Sequence, residues 1–127
     1  MASVSSLLRQ LNNKNLSPDE RAHLRCQLAK RREDAGQYEA ARQALVELWQ
    51  RIGEQPNIEG LQPSIAGEVL LRAGVLTGWI GSCNQIPEAQ EAAKNLISKA
   101  LTVFESLSYG KKILEAQNEL ALCYWRE

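Results

Sequence analysis

The side chains that could carry out catalysis are few, and they form no recognised motif. His23 is the only imidazole in the 127 residues, so general acid–base chemistry near neutral pH has one conventional candidate. No serine or cysteine is tied to this histidine by a nucleophile motif, and a lone helical histidine more often lies on a surface than acts as a base. The sequence therefore predicts that the protein is not an enzyme and has no catalytic residues.

The cysteines give no indication of a metal or cofactor site. Cys26, Cys83 and Cys123 are far apart, with no Cys-x-x-Cys pair, so they match neither a zinc site nor a disulfide framework. Cys83 lies near a predicted turn and could be a reactive thiol, although a packed free cysteine is the commoner case. We expect no metal, no cofactor and reduced thiols, which fits a cytoplasmic location.

Charge gives no reason to expect nucleic acid or membrane as a partner. Fifteen basic and fifteen acidic residues give a formal charge of zero, and the basic run at 30–32 is followed at once by Glu33 and Asp34. A helix-turn-helix interpretation of the first hairpin is disfavoured, because the balanced charge supplies little affinity for phosphate. The N-terminus lacks the apolar core of a signal peptide, and no apolar run approaches the roughly 20 residues that span a bilayer.

Apolar residues recur at three- and four-residue intervals along the whole chain, which predicts an all-α protein. Ser17 followed by Pro18 and Glu20 is a strong helix start, because the serine can cap the helix and the glutamate can bond back to it. A loop is expected from Gly53 to Gln62. The predicted helices are Val4–Leu11, Ser17–Ala35, Gln37–Arg51, Pro63–Cys83, Pro87–Leu107 and Lys111–Glu127.

Two of the predicted turns have similar sequences, Ala35-Gly36-Gln37-Tyr38-Glu39-Ala40-Ala41 and Asn84-Gln85-Ile86-Pro87-Glu88-Ala89. In each turn Gly36 or Asn84 can adopt the left-handed backbone that ends a helix. Tyr38 or Ile86 then follows two residues later and is predicted to fill the angle between the helices. Ala41 or Ala89 is small where the two helices come closest. The chain is thus predicted to repeat a helical hairpin.

These positions resemble the tetratricopeptide repeat, and the segment from Phe104 to Tyr124 resembles the linker and first helix of a further unit. The turns are 84 − 36 = 48 residues apart, longer than the usual repeat of about 34, so the resemblance is to the longer-period variety. It implies one domain, a right-handed superhelix of antiparallel hairpins. Its parts would be an N-terminal helix and linker (1–16), repeat 1 (17–55), repeat 2 (56–107) and the first helix of an incomplete repeat 3 (108–127).

The resemblance also implies a function, the binding of a protein or peptide along a concave groove by a scaffold or regulatory module. The clamp that some family members use for a carboxylate does not fit, because only Lys30 matches it. The alternatives are a ligand-sensing region of a bacterial transcription regulator and a dimerisation module. The groove residues implied by the family register are His23, Gln27, Lys30, Leu71, Gly74, Val75, Gly78, Glu115, Asn118 and Glu119.

Two further features of the sequence bear on these expectations. Gly67, Gly74, Gly78 and Gly81 share one face of the fourth predicted helix, where each costs about 1 kcal/mol relative to alanine. Either close packing of a neighbouring helix or a groove for a partner's backbone would offset that cost. The last predicted helix ends in apolar residues, including Tyr124 and Trp125, although a terminal repeat normally turns a polar face outward. We expect either a fragment of a larger protein or a homo-oligomer formed through this face.

Overall fold

The computed structural model describes residues 3–127, and in that range the chain forms six α-helices and no strand. The helices are α1 (Val4–Leu11), α2 (Pro18–Asp34), α3 (Tyr38–Ala44), α4 (Pro63–Cys83), α5 (Ala89–Ser106) and α6 (Gly110–Arg126). The all-α class and the number of helices predicted from the sequence are confirmed. The handedness of a superhelix stays a prediction.

The start of α2 follows directly from its sequence. The side chain of Ser17 accepts a hydrogen bond from the backbone N–H of Glu20, and the Glu20 carboxylate accepts one from the backbone N–H of Ser17, each at 3.1 Å. Pro18 occupies the first helical position, where its missing N–H costs nothing. The predicted capping box is therefore present and fixes where α2 begins.

Three helices end with the same backbone device, a left-handed residue followed by an N–H that bonds to the carbonyl five residues earlier. This residue is Gly36 after α2, Gln85 after α4 and Ser108 after α5, with φ of 76°, 53° and 54°. The closing bonds are Gln37 N to Arg32 O (2.8 Å), Ile86 N to Gly81 O (2.9 Å) and Tyr109 N to Phe104 O (3.0 Å). The two corners predicted to be equivalent thus share the backbone geometry that ends their first helix.

The details of the second corner differ from the prediction. Asn84 has φ of −97°, and the left-handed conformation belongs to Gln85, one residue later. Tyr38 stacks on Trp79 of α4 with ring centroids 5.6 Å apart, whereas Ile86 is 38% exposed. The second helix of this corner also begins later than predicted, because Pro87 lies outside it and Glu88, with φ of 62°, is a second left-handed residue before α5 starts at Ala89. The corners therefore share the backbone that ends the first helix, but they differ in how the second helix starts and in the burial of Tyr38 and Ile86.

Helix α3 is shorter than predicted, since it ends at Ala44 rather than near residue 51. Of the residues that suggested a longer helix, Leu45 is buried and Leu48 and Ile52 are partly buried, but they reach the core through turns. Trp49 is 1% exposed, and its indole N–H donates to the carbonyl of Glu54 at 3.0 Å. The backbone N–H of Asn57 donates to the carbonyl of Leu48 at 2.7 Å. The connector to α4 therefore folds over Trp49, and helical spacing in the sequence could not distinguish this from a continued helix.

Helix α4 is the centre of the structure, packing most extensively on α5 and also contacting α2, α3 and α6. Three glycines at intervals of seven, Gly67, Gly74 and Gly81, face α5. A Cβ atom at Gly74 would lie 2.7 Å from the Ile97 side chain, one at Gly67 would lie 2.9 Å from the Phe104 ring, and one at Gly81 would meet Ala89. The glycines allow α5 to approach α4 closely, which supports the packing interpretation.

Candidate binding cavity between α2, α4 and α6

A partly open cavity of about 390 Å³ lies where α2, α4 and the start of α6 face one another. Its floor includes Leu7 from α1 and Cys26 from α2, each 1% exposed, together with the partly buried Ile65 from α4. Tyr109 and Lys112 contribute from the beginning of α6. The cavity thus combines an apolar floor with polar side chains around its opening.

Three of the residues implied by the family register meet at this cavity. His23, Gln27 and Lys30 lie on successive turns of α2 and all line it, with His23 and Gln27 exposed to solvent. Their spacing of four and three residues places them on one face of the helix. The structure therefore brings together the whole set that was expected from α2.

The residues expected from α6 lie farther along. The Glu115 carboxylate is 3.9 Å from the Lys30 ammonium, so it borders the cavity through an ion pair without lining it. Glu119 is half-buried and Asn118 is exposed, and neither lines the cavity. Only the first turn of α6 forms part of the wall.

The four residues expected from α4 require a correction. Leu71 and Val75 are 0% exposed, and Gly74 is covered by α5. Gly78 lies beneath the guanidinium of Arg126 and the side chain of Gln90. All four are interior residues, since α4 is surrounded by other helices on most of its circumference, and no open surface for a partner passes over them.

An ion-pair cluster lies at the inner end of the cavity and is centred on Arg72, which is 0% exposed. One guanidinium nitrogen donates to both oxygens of Glu33 at 2.9 and 2.8 Å. A second nitrogen donates to Glu115, and the third lies 3.3 Å from Glu68. Arg72 therefore connects α4 to α2 and to α6 in the interior of the protein.

Two lysines complete this cluster at its solvent edge. Lys112 pairs with Glu68 at 2.6 Å and with Glu115 at 3.1 Å. Lys30 pairs with Asp34 at 3.1 Å and lies 3.5 Å from Glu33. Every carboxylate around Arg72 thus has a cationic neighbour, which is what buried charge requires to be tolerated.

The pKa shifts in the cluster reflect competition between burial and ion pairing. Burial raises the pKa of Glu33 and of Glu119 above the ordinary range, despite the nearby Arg72 and Lys30. Burial acts in the same sense on Glu115, but Arg72 and Lys112 outweigh it and the net effect lowers the pKa of that group. Glu33 and Glu119 are consequently easier to protonate in the folded state than Glu115.

The thiol on the cavity floor is poorly suited to nucleophilic chemistry. Burial raises the pKa of Cys26 well above its ordinary value, with Glu68 adding to the effect. Thiolates rather than thiols are the reactive species, so this cysteine is a small apolar part of the floor. The cavity therefore supports binding by shape and hydrogen bonding.

Sequence reasoning missed the ion-pair cluster, although one signal for it was present. Glu68 and Arg72 are the only charged residues between Pro63 and Cys83, and they are four residues apart. Such a pair lies on one face of a helix that is otherwise apolar. Charged residues inside an apolar helix need partners from neighbouring elements, and this could have directed attention to Glu33 and Lys112.

The chain matches no protein-family model, no curated protein and no solved structure. Across residues 3–127 there is no helix whose length and apolar character would let it cross a bilayer. Over the same residues no group of three or more histidine, cysteine, aspartate or glutamate side chains is placed to hold a metal ion.

Proposed function

We propose that the protein is a binding module that holds a segment of another protein in the cavity between α2, α4 and α6. The supporting observation is the cavity itself, whose volume of about 390 Å³ lies within the usual range of roughly 300–1,000 Å³ for ligand pockets. An apolar floor surrounded by polar side chains suits a peptide, because one apolar side chain can be buried while the peptide backbone bonds to the rim.

The chemistry of the rim narrows the kind of segment that fits. The lysines at the opening, Lys30 and Lys112, are already paired with carboxylates, so they offer hydrogen bonds without a large unbalanced charge. His23 and Gln27 provide neutral donors and acceptors in the exposed part of the wall. The expected ligand is a segment with one medium-sized apolar anchor, such as leucine or methionine, flanked by polar residues.

A selection experiment with a matched pair of variants tests this proposal. Purified protein is used to select peptides from a random displayed library, and affinities are then measured by fluorescence anisotropy. Gln27→Trp places a large side chain at the cavity, whereas Gln43→Trp makes the same change at an exposed position on α3 that does not line it. We expect the first variant to weaken binding at least tenfold, or about 1.4 kcal/mol, and the second to leave it unchanged.

Circular dichroism at 222 nm verifies that both variants remain folded. Selected peptides that bind both variants equally well would show that they contact another surface, and the proposal would then be abandoned. A library that yields no binder, combined with displacement of a fluorescent probe from the cavity by small metabolites, would favour the ligand-sensing alternative.

A further inference from the structure

The outward face of α6 is a separate feature from the cavity, and it is unusually apolar. Trp125 is 80% exposed, and Tyr124 and Leu114 are each 60% exposed. Leu114, Ala121 and Trp125 are separated by seven and four residues, so they form one stripe along the helix, with the uncharged polar Asn118 between the first two. The exposed residues of α6 between Lys111 and Glu127 carry no charge. This combination is typical of a surface that is covered in the functional state.

We propose that this face binds a second copy of the same chain, with the two α6 helices packed antiparallel about a twofold axis near their midpoint. In this arrangement Leu114 of each copy lies opposite Trp125 of the other. In this register Ala121 of each copy lies close to the axis and opposite Asn118 of the other, and these short side chains allow the helices to approach closely. A twofold interface needs such a self-complementary surface, with large residues at the ends and a small one at the centre.

Charge also favours the antiparallel orientation. Lys111 has no ion pair within residues 3–127, and it lies one turn before Leu114. Glu127 lies at the opposite end of α6, where it pairs with Lys94. Antiparallel packing brings Lys111 of one copy near Glu127 of the other at both ends of the interface. Parallel packing would instead place like charges together, which is unfavourable.

The available area suggests a dimer of moderate strength. At their observed exposures Trp125 and Tyr124 offer roughly 300 Å², since a buried aromatic side chain contributes about 150–250 Å². The rest of the stripe raises this to roughly 500 Å² per copy, so a pair would bury about 1,000 Å², near the lower end for specific interfaces. Interfaces of this size are typical of weak association, so we expect dimerisation to be detectable only at micromolar concentrations or above.

Sedimentation equilibrium between about 5 and 500 μM measures this association directly. Leu114→Glu and Trp125→Glu each place a charge in the interface, and both should weaken dimerisation at least tenfold. Val46→Glu is the matched control, since Val46 is 43% exposed outside α6. A protein that stays monomeric at the highest concentration, or a control variant that weakens the dimer equally, would overturn the proposal.

Two further variants test the orientation. Lys111→Glu should weaken the dimer, and the double variant that also carries Glu127→Lys should regain most of the affinity. A double variant that dimerises more weakly than either single variant would exclude antiparallel packing. Ala121→Cys in a Cys83→Ser background, which removes the exposed native thiol, should form a disulfide-linked dimer under mild oxidation. Failure of this cross-link in a protein that does dimerise would place the interface elsewhere. A purified monomer that still binds peptide in the cavity would separate the two proposals.

Discussion

Replacing Arg72 with methionine should be among the most damaging single changes in this protein. The substitution keeps an unbranched apolar stem but removes the guanidinium, so the loss of the buried ion pairs dominates its effect. Glu33, with a side chain only 7% exposed, would lose its principal counter-ion, and Glu68 and Glu115 would lose one of theirs. Breaking a buried ion pair on one side costs about 3–5 kcal/mol, a large share of the roughly 5–15 kcal/mol that stabilises a typical domain.

The loss of stability in Arg72→Met should depend on pH, and the charges around Glu33 determine the direction of that dependence. The pKa of Glu33 is already raised by burial, and removing Arg72 takes away the strongest influence that lowers it. In the variant the folded state then binds a proton more readily than the unfolded chain does. Stability therefore rises as the pH falls through this elevated pKa, and the difference between variant and wild type should narrow from pH 7 to pH 5.

Urea denaturation followed by circular dichroism at several pH values measures both effects. Arg51→Met is the matched control, because Arg51 has a side chain that is 79% exposed and pairs only loosely, at 3.8 Å, with Glu54 three residues away, so its loss should cost no more than about 0.5 kcal/mol. The reasoning would be refuted if Arg72→Met cost less than about 1 kcal/mol at pH 7, or if its cost did not change with pH.

Three other predictions concern the packing, an ion pair and the thiols. Gly74→Ala should lower the free energy of unfolding, measured by urea denaturation, by about 1–3 kcal/mol because the new Cβ meets α5. Gly110→Ala adds a Cβ in open space and should be neutral or stabilising. Equal effects of the two changes would contradict the packing interpretation. Hydrogen bonds from Arg21 lower the pKa of Glu47 to about 2, so Glu47→Gln should reduce the free energy of unfolding at pH 7 by up to about 1 kcal/mol. This difference between variant and wild type should fade as the pH falls from 4.5 towards 2, and its persistence at pH 2 would exclude this account. In the native protein iodoacetamide should label Cys83 alone, and the mass of the intact protein counts the labels. Rapid labelling at two or three sites would show that Cys26 or Cys123 is not buried.

Much of the helical framework could be predicted because its signals are local. The capping box at Ser17 and the proline at position 63 fix the starts of α2 and α4 through neighbours in sequence, whereas Pro87 did not mark the start of α5, which is Ala89. The end of α3 could not be predicted in this way. It depends on Trp49 being covered by the connector that follows, a contact with residue 54 that helical periodicity does not encode.

The candidate site could be predicted only where one helix supplies it. His23, Gln27 and Lys30, which the family register placed in the groove, share a face of α2 and all line the cavity. For α4 the family register gave the wrong side, because it treated Leu71 and Val75 as wall residues when they are in the core. Whether a residue of a central helix faces a groove or a neighbour depends on how the other helices surround it, and that information is spread over the whole chain.

The ion-pair cluster and the cavity are connected in a way that bears on the proposed function. Between α2 and α6, whose backbones do not approach closely, the connecting contacts run through Arg72 and through the pairing of Lys30 with Glu115. These contacts fix the spacing of the two helices, and with it the width of the cavity. They also hold the two lysines at the opening in defined positions before any ligand arrives. A cavity wall that is ordered before binding loses less conformational entropy when a ligand binds. The charge cluster can therefore contribute to affinity even if it adds little to the stability of the fold relative to an apolar replacement.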